Sequence, residues 1–123
     1  MISLQENKNN GILYGISEGR ITVQEMLGAI DYCLNNKGLP RNLLILEDAR
    51  LAHPEFSPQD LSLIAERQKR LFPLYQSVRH AVIHNTPENT ALAMIFDQKH
   101  TSPNYKLNVF STEEGAMSWL KNH

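Results

Sequence analysis

Leu43-Leu44-Ile45-Leu46-Glu47-Asp48 is the stretch on which the fold turns. Four consecutive aliphatic residues suit a strand buried on both faces, the environment of a mostly parallel sheet covered by helices. The run ends on two carboxylates. An irregular segment, Ala49-Arg50-Leu51-Ala52-His53-Pro54-Glu55, then leads to Phe56-Ser57-Pro58-Gln59-Asp60, which carries the marks of a helix start. Ser57 is a good N-cap, Pro58 fits the first helical position, and Asp60 favours the positive end of the dipole.

Before this unit, Ile2 and Leu4 alternate with polar residues, as do Ile12, Tyr14 and Ile16, and Asn7-Lys8-Asn9-Asn10-Gly11 lies between them. That pattern predicts a β-hairpin. Gly15, inside its second strand, marks a bulge or a close backbone approach, and Glu18-Gly19-Arg20 turns the chain. Thr22 with Glu25 forms a capping box. Val23, Met26, Leu27, Ile30, Cys33 and Leu34 recur at helical spacing. Gly38 suits a left-handed helix end and Pro40 blocks continuation.

Beyond the central unit, Leu61, Ile64, Ala65, Leu71 and Phe72 supply the buried stripe of a second helix, and Pro73 ends it. Leu71-Phe72-Pro73-Leu74-Tyr75 reads as core or as an apolar patch for a second subunit. Val78 to His84 is the next strand. Thr86-Pro87-Glu88 starts a third helix whose body, Ala91 to Phe96, is apolar all round; a strand is the competing reading. Gln98 to Asn104 is expected to be a mobile loop. Leu107, Val109 and Phe110 form the last strand. Ser111 with Glu114 caps a final helix pinned by Ala116, Trp119 and Leu120.

The expected class is α/β: an N-terminal β-hairpin followed by βαβαβα units, a mixed, mostly parallel five-stranded sheet packed by about four helices. Residues 1–123 form one domain, a length sufficient for a real core. Hydrophobic residues make up 41% and charged residues 20%, with a formal net charge of -1, which gives no support to nucleic-acid binding. A single cysteine cannot form an intramolecular disulfide. There is no apolar run of roughly 18 to 20 residues to span a bilayer and no signal-peptide core near Met1. A cytoplasmic protein without membrane insertion is expected, with no cofactor and no metal.

In sheets of this kind the functional crevice lies beyond the carboxyl ends of the strands. That edge gathers Glu47, Asp48, His84, Asn85, Thr86, Ser57 and Ser111 as candidate ligand contacts, with helix N-termini offering unpaired N–H groups. Adjacent on a strand, Glu47 and Asp48 point to opposite faces and make a poor catalytic pair. His80 and His84 share a face but stand roughly 13 Å apart along a strand, too far to share a zinc ion about 2 Å from each ligand. His53, His84 and His100 show no ligand spacing. Cys33 on an apolar stripe is a poor nucleophile. No phosphate loop, nucleophile elbow or zinc motif is present, and Arg67-Gln68-Lys69-Arg70 reads as a solvated helix face.

The order of elements, with Leu44-Ile45-Leu46-Glu47-Asp48 running into an N-capped helix, resembles the STAS domains, and within them the SpoIIAA-like branch. The closing Val109-Phe110-Ser111-Thr112-Glu113-Glu114-Gly115-Ala116-Met117-Ser118-Trp119-Leu120 resembles the F-x-x-x-x-x-A-x-x-W-L ending of SpoIIAA-like proteins grouped as STAS/SEC14. In the antagonist branch a serine at the start of this helix is phosphorylated within an Asp-Ser-Ser-Gly-like sequence. Here Glu55-Phe56-Ser57-Pro58-Gln59 stands instead, so only Ser57 occupies a matching place. The resemblance implies a non-enzymatic regulatory module with a protein partner, homodimeric or not, recognised through His53, Glu55, Phe56, Ser57 and Asp60. The alternative is a small-molecule or lipid binder using the strand-end crevice, with His84, Asn85 and Ser57 as polar contacts. A third reading, acid–base catalysis by His84 and Glu47, predicts no substrate.

Overall fold

The computed structural model describes residues 1–98 and 102–122. A five-stranded sheet runs in the order β1 (Ile2–Asn7), β2 (Ile12–Ile21), β3 (Asn42–Pro54), β4 (Ser77–Ile83), β5 (Tyr105–Phe110). β1 pairs antiparallel with β2 and every other pair is parallel. The helices are α1 (Val23–Asn35), α2 (Pro58–Lys69), α3 (Pro87–Gln98) and α4 (Glu113–Lys121). The expected mixed sheet and helix count are present.

Leu43-Leu44-Ile45-Leu46 lies in the central strand between β2 and β4. Its alternation divides the core. Leu43 and Ile45 pack with Ile30, Cys33, Ile64, Leu71 and Tyr75 beneath α1 and α2. Leu46 packs with Ile12, Ala81, Ile83, Ala116 and Leu120 beneath α4 on the opposite face. Three crossover helices thus stand on one face and the terminal helix covers the other.

Several local expectations change. Ala49–Pro54 is strand, not irregular loop, and Glu18-Gly19-Arg20 does not turn the chain but pairs with Leu51, Ala52 and His53. A bulge hides the alternation: the register shifts between Ile16 and Glu18, so Ala49 and Ala52 are both buried while Arg50 and Leu51 are exposed. The extra residue is on β3; beyond the shift, Gly19 of β2 pairs with Ala52 at φ 69°, a conformation that suits a residue without Cβ. Gly15 is a close approach, not the bulge: a Cβ there would stand 3.3 Å from a Leu4 methyl. α1 ends in an Asx turn, Gly38 N–H donating to Asn36 Oδ1 at 3.0 Å, and Gly38 is not left-handed. The cap of α4 is Thr112, not Ser111; its hydroxyl accepts Gly115 N–H at 3.1 Å.

Leu71, Phe72 and Tyr75 belong to the core, and Leu74 faces solvent. The Ala91–Phe96 segment is helical, capped by Thr86 Oγ1 accepting Asn89 N–H at 3.2 Å. It buries no residue completely. The loop expected over Gln98 to Asn104 lies partly outside the described residues, as does His100.

Candidate functional site

Strand alternation turns Ser17 of β2, Glu47 of β3, His80 of β4 and Tyr105 of β5 toward the same helix-covered face. Glu47 faces Gly15 on one side and Val82 on the other, and His80 faces Ile45. A one-step diagonal across the parallel pair therefore joins Glu47 to His80. Glu47 Oε1 lies 2.9 Å from His80 Nε2 and Oε2 lies 3.2 Å from Ser17 Oγ. The opposite ring nitrogen, His80 Nδ1, is 3.2 Å from the Tyr105 hydroxyl, which also meets the Gln68 side chain of α2.

The donors around Glu47 run in one direction. An ionised carboxylate only accepts, so Ser17 O–H and His80 Nε2–H donate to Glu47. His80 Nδ1 and the Tyr105 hydroxyl share a hydrogen bond whose sense follows the imidazole tautomer, and the Tyr105 oxygen accepts from the Gln68 amide. Burial pushes the Glu47 carboxyl up, but hydrogen bonding and charge from His80, with His84 and Ser17 assisting, hold it below its ordinary value. Burial, with Asp97 and Glu47 nearby, raises the Tyr105 hydroxyl far above its usual range against the Gln68 hydrogen bond, so Tyr105 stays protonated.

Beside this chain lies a cavity of about 100 Å³ between the sheet and helices α2 and α3. Ala49, Ala52 and Val82 form its sheet wall, Ile64 its α2 wall, and Leu92 and Ala93 its α3 wall. It exists because small side chains stand where the helix crosses: Ala49 and Ala52 are 2% and 3% exposed yet reach little into the gap. α3 is tied across it by Asn89 Nδ2 donating to the Ala52 carbonyl at 3.1 Å. Ser17, Glu47, His80 and His84 are its ionisable or hydroxyl-bearing members.

His84 differs from His80. It is 9% exposed, and its Nδ1 is buried with no hydrogen-bond partner among the described residues. Burial lowers its pKa; Glu47 and the Ala49 backbone oppose the shift and His80 adds to it. The ring is therefore an uncharged imidazole at neutral pH, with polar capacity left unused. Buried polar atoms are nearly always paired, so this nitrogen, on a residue that lines the cavity, is an exception among the buried polar groups.

Of the site residues expected from sequence, Glu47, His84 and Phe56 reach this cavity, as does His80, which the sequence raises only as a zinc ligand. The others do not. Asp48 turns to the opposite face, where Arg50 Nη2 and Nε reach its carboxylate at 2.8 and 3.0 Å. Ser57 and Asp60 are occupied in a reciprocal cap, each accepting the other's N–H at 3.0 Å. Glu55 pairs with Arg20; His53 and Asn85 are exposed and Thr86 caps α3. The strand-end crevice does not gather these groups, because the sheet order is sequential and there is no switch point at which strands splay. The cluster missed was Ser17, His80, Gln68 and Tyr105. Its one legible signal was Glu47 and His80 at even offsets from the aliphatic runs of neighbouring strands.

Arg67 and Lys69 are paired with Asp31 and Glu66, which leaves little free charge on that helix face. No described helix is long and apolar enough to cross a membrane.

Neither a protein-family model nor a curated protein matches the sequence. Solved structures do match its fold, two of which are informative. One is an uncharacterised protein of the DUF3478 family with a SpoIIAA-like fold from Shewanella loihica PV-4: TM-score 0.62, 16% identity, covering 98% of this chain and 92% of that one. The other is the anti-sigma factor antagonist SpoIIAA in its unphosphorylated form: TM-score 0.57, 12% identity, covering 100% of both chains. The parallel β2–β5 order, the antiparallel leading strand and the terminal helix on the reverse face are thus those of a SpoIIAA-like fold.

Proposed function

We propose that this chain is a STAS-like regulatory domain without catalytic chemistry, and that it takes a small, mainly apolar molecule into the cavity beneath α2 and α3. The observation that carries this reading is the alanine-walled cavity lined in part by His84, whose Nδ1 is buried without a partner among the described residues. Apolar pockets with a few convergent polar groups are the usual form of small-ligand sites. Catalysis fits poorly. Both His80 nitrogens are engaged, Tyr105 is held protonated by burial, and Glu47 already accepts two hydrogen bonds.

The test is thermal unfolding in the presence of alcohols from butanol to octanol and of toluene, each at low concentration. A ligand that binds only the folded state at ten times its Kd adds about 1.4 kcal/mol of stability. The reading requires at least one probe to raise the midpoint saturably. A panel in which none does removes it.

A second reading, surface recognition through His53 to Asp60, draws support from the exposed hydroxyl of Ser57 at the start of α2. The SpoIIAA relative is named as an anti-sigma factor antagonist studied in its unphosphorylated form. A phosphoryl group on Ser57 would gain from the helix dipole but meet the Asp60 carboxylate that caps the same turn. Mass spectrometry of the protein from its native cell, across growth phases, decides: modified Ser57 supports this reading, and its absence throughout removes the phosphorylated form of it.

A further inference from the structure

The cavity also specifies the polar end of its guest, an inference that rests on the ligand-binding reading above. We propose that the site selects an uncharged molecule that bears a hydroxyl on an apolar body of roughly butyl to hexyl size, and that His84 accepts the hydrogen bond from that hydroxyl.

Size comes first. A cavity of about 150 Å³ lined by aliphatic groups accommodates benzene; the 100 Å³ here holds a shorter body, with the remainder of a chain reaching the mouth beside α3. Charge comes second. The groups facing the cavity are Glu47, His80 and His84. The Glu47 carboxylate is ionised and its two oxygens are taken by His80 and Ser17. An anionic guest would bring a second negative charge beside it into a space with few free donors. A cationic guest would lose its hydration for a carboxylate already satisfied.

Hydrogen-bonding sense comes third. A neutral imidazole carries one N–H and one lone pair. His84 hydrogen-bonds the Ala49 backbone; because Nδ1 has no partner among the described residues, that bond is made by Nε2–H and the lone pair lies on Nδ1. What completes it is therefore a donor. A hydroxyl supplies one without charge, and its oxygen retains lone pairs that water at the cavity mouth can use.

Isothermal calorimetry at pH 7 with 1-hexanol, hexyl methyl ether and hexanoate separates these requirements. 1-Hexanol should bind about tenfold more tightly than the ether, which has no proton to donate, and hexanoate more weakly still. His84→Phe should erase the alcohol's advantage over the ether while both still bind, and Glu47→Gln should narrow the gap between 1-hexanol and hexanoate. Should either variant fail to fold, the ring-nitrogen NMR signals of His84 in the unmodified protein serve instead: one must shift on adding 1-hexanol and stay put with the ether. Binding of all three probes with equal strength, or preference for hexanoate, overturns the head-group assignment and leaves the cavity reading intact. Binding of none overturns both.

Discussion

Replacing Ala52 by leucine tests whether the space under α3 is real. Ala52 lies on β3 with its Cβ against the cavity, 3% exposed. Its backbone link to Asn89, 3.1 Å from the carbonyl, does not involve the side chain. Leucine adds three carbon atoms to a gap of about 100 Å³. Burying them is worth about 0.8 kcal/mol each, or about 2.4 kcal/mol. Fixing the leucine rotamer costs about 0.5–1 kcal/mol. The net expectation is stabilisation by about 1.5 kcal/mol, a rise in Tm of roughly 4–6 °C for a chain of this length. Urea unfolding followed by circular dichroism measures it, and the m-value should not change, since the surface exposed on unfolding is nearly the same. The same variant should lose stabilisation by 1-hexanol, so it becomes more stable and blind to ligand. A loss of about 1–3 kcal/mol, the range for an overpacked core, would refute the reasoning by showing the alanines already in full contact.

Other expectations follow from the buried polar chain and from the core. Glu47→Ala strands His80 Nε2–H and Ser17 O–H without an acceptor and should cost about 2–6 kcal/mol, about 1–3 for each donor, whereas Glu47→Gln keeps an acceptor for His80 and should cost about 1 kcal/mol; equal losses in urea unfolding contradict the donor order. Burial holds the folded pKa of His84 below its unfolded value of about 6.5. The unfolded chain thus binds more protons just below that pH, so stability should fall as pH drops through 6.5, and His84→Phe should flatten this slope; an unchanged slope in the variant counts against a buried neutral ring. Burial lifts the Cys33 thiol to about 11, so a disulfide reagent at pH 8 should label it only at the rate of unfolding, accelerating with urea; rapid native-state labelling contradicts its place under α1.

The aliphatic run Leu43–Leu46 and the caps at Thr22, Ser57 and Thr86 were enough to order the elements, because each is a local signal with a period or a hydrogen bond behind it. The strand extension Ala49–Pro54 was not legible. One extra residue in a bulge places Ala49 and Ala52 on the same face, three apart, and breaks the two-residue period on which strand recognition rests. The site was hidden for a related reason. Glu47 and His80 are 33 residues apart, and their contact follows from the register between β3 and β4, which no local pattern states. The helix α3 looked anomalous because its apolar residues Met94 and Ile95 stay 57% and 50% exposed while Leu92 and Ala93 roof the cavity. Its unusual sequence marked the roof of this cavity, which periodicity alone could not place.

The most direct test of the account is a methyl-resolved NMR titration with 1-hexanol. The account predicts saturable shifts in Ala49, Ala52, Val82, Leu92 and Ala93, with Ala81, Ile83 and Leu120 beneath α4 unmoved. Shifts confined to the α4 face, or to the exposed Met94 and Ile95, would contradict it.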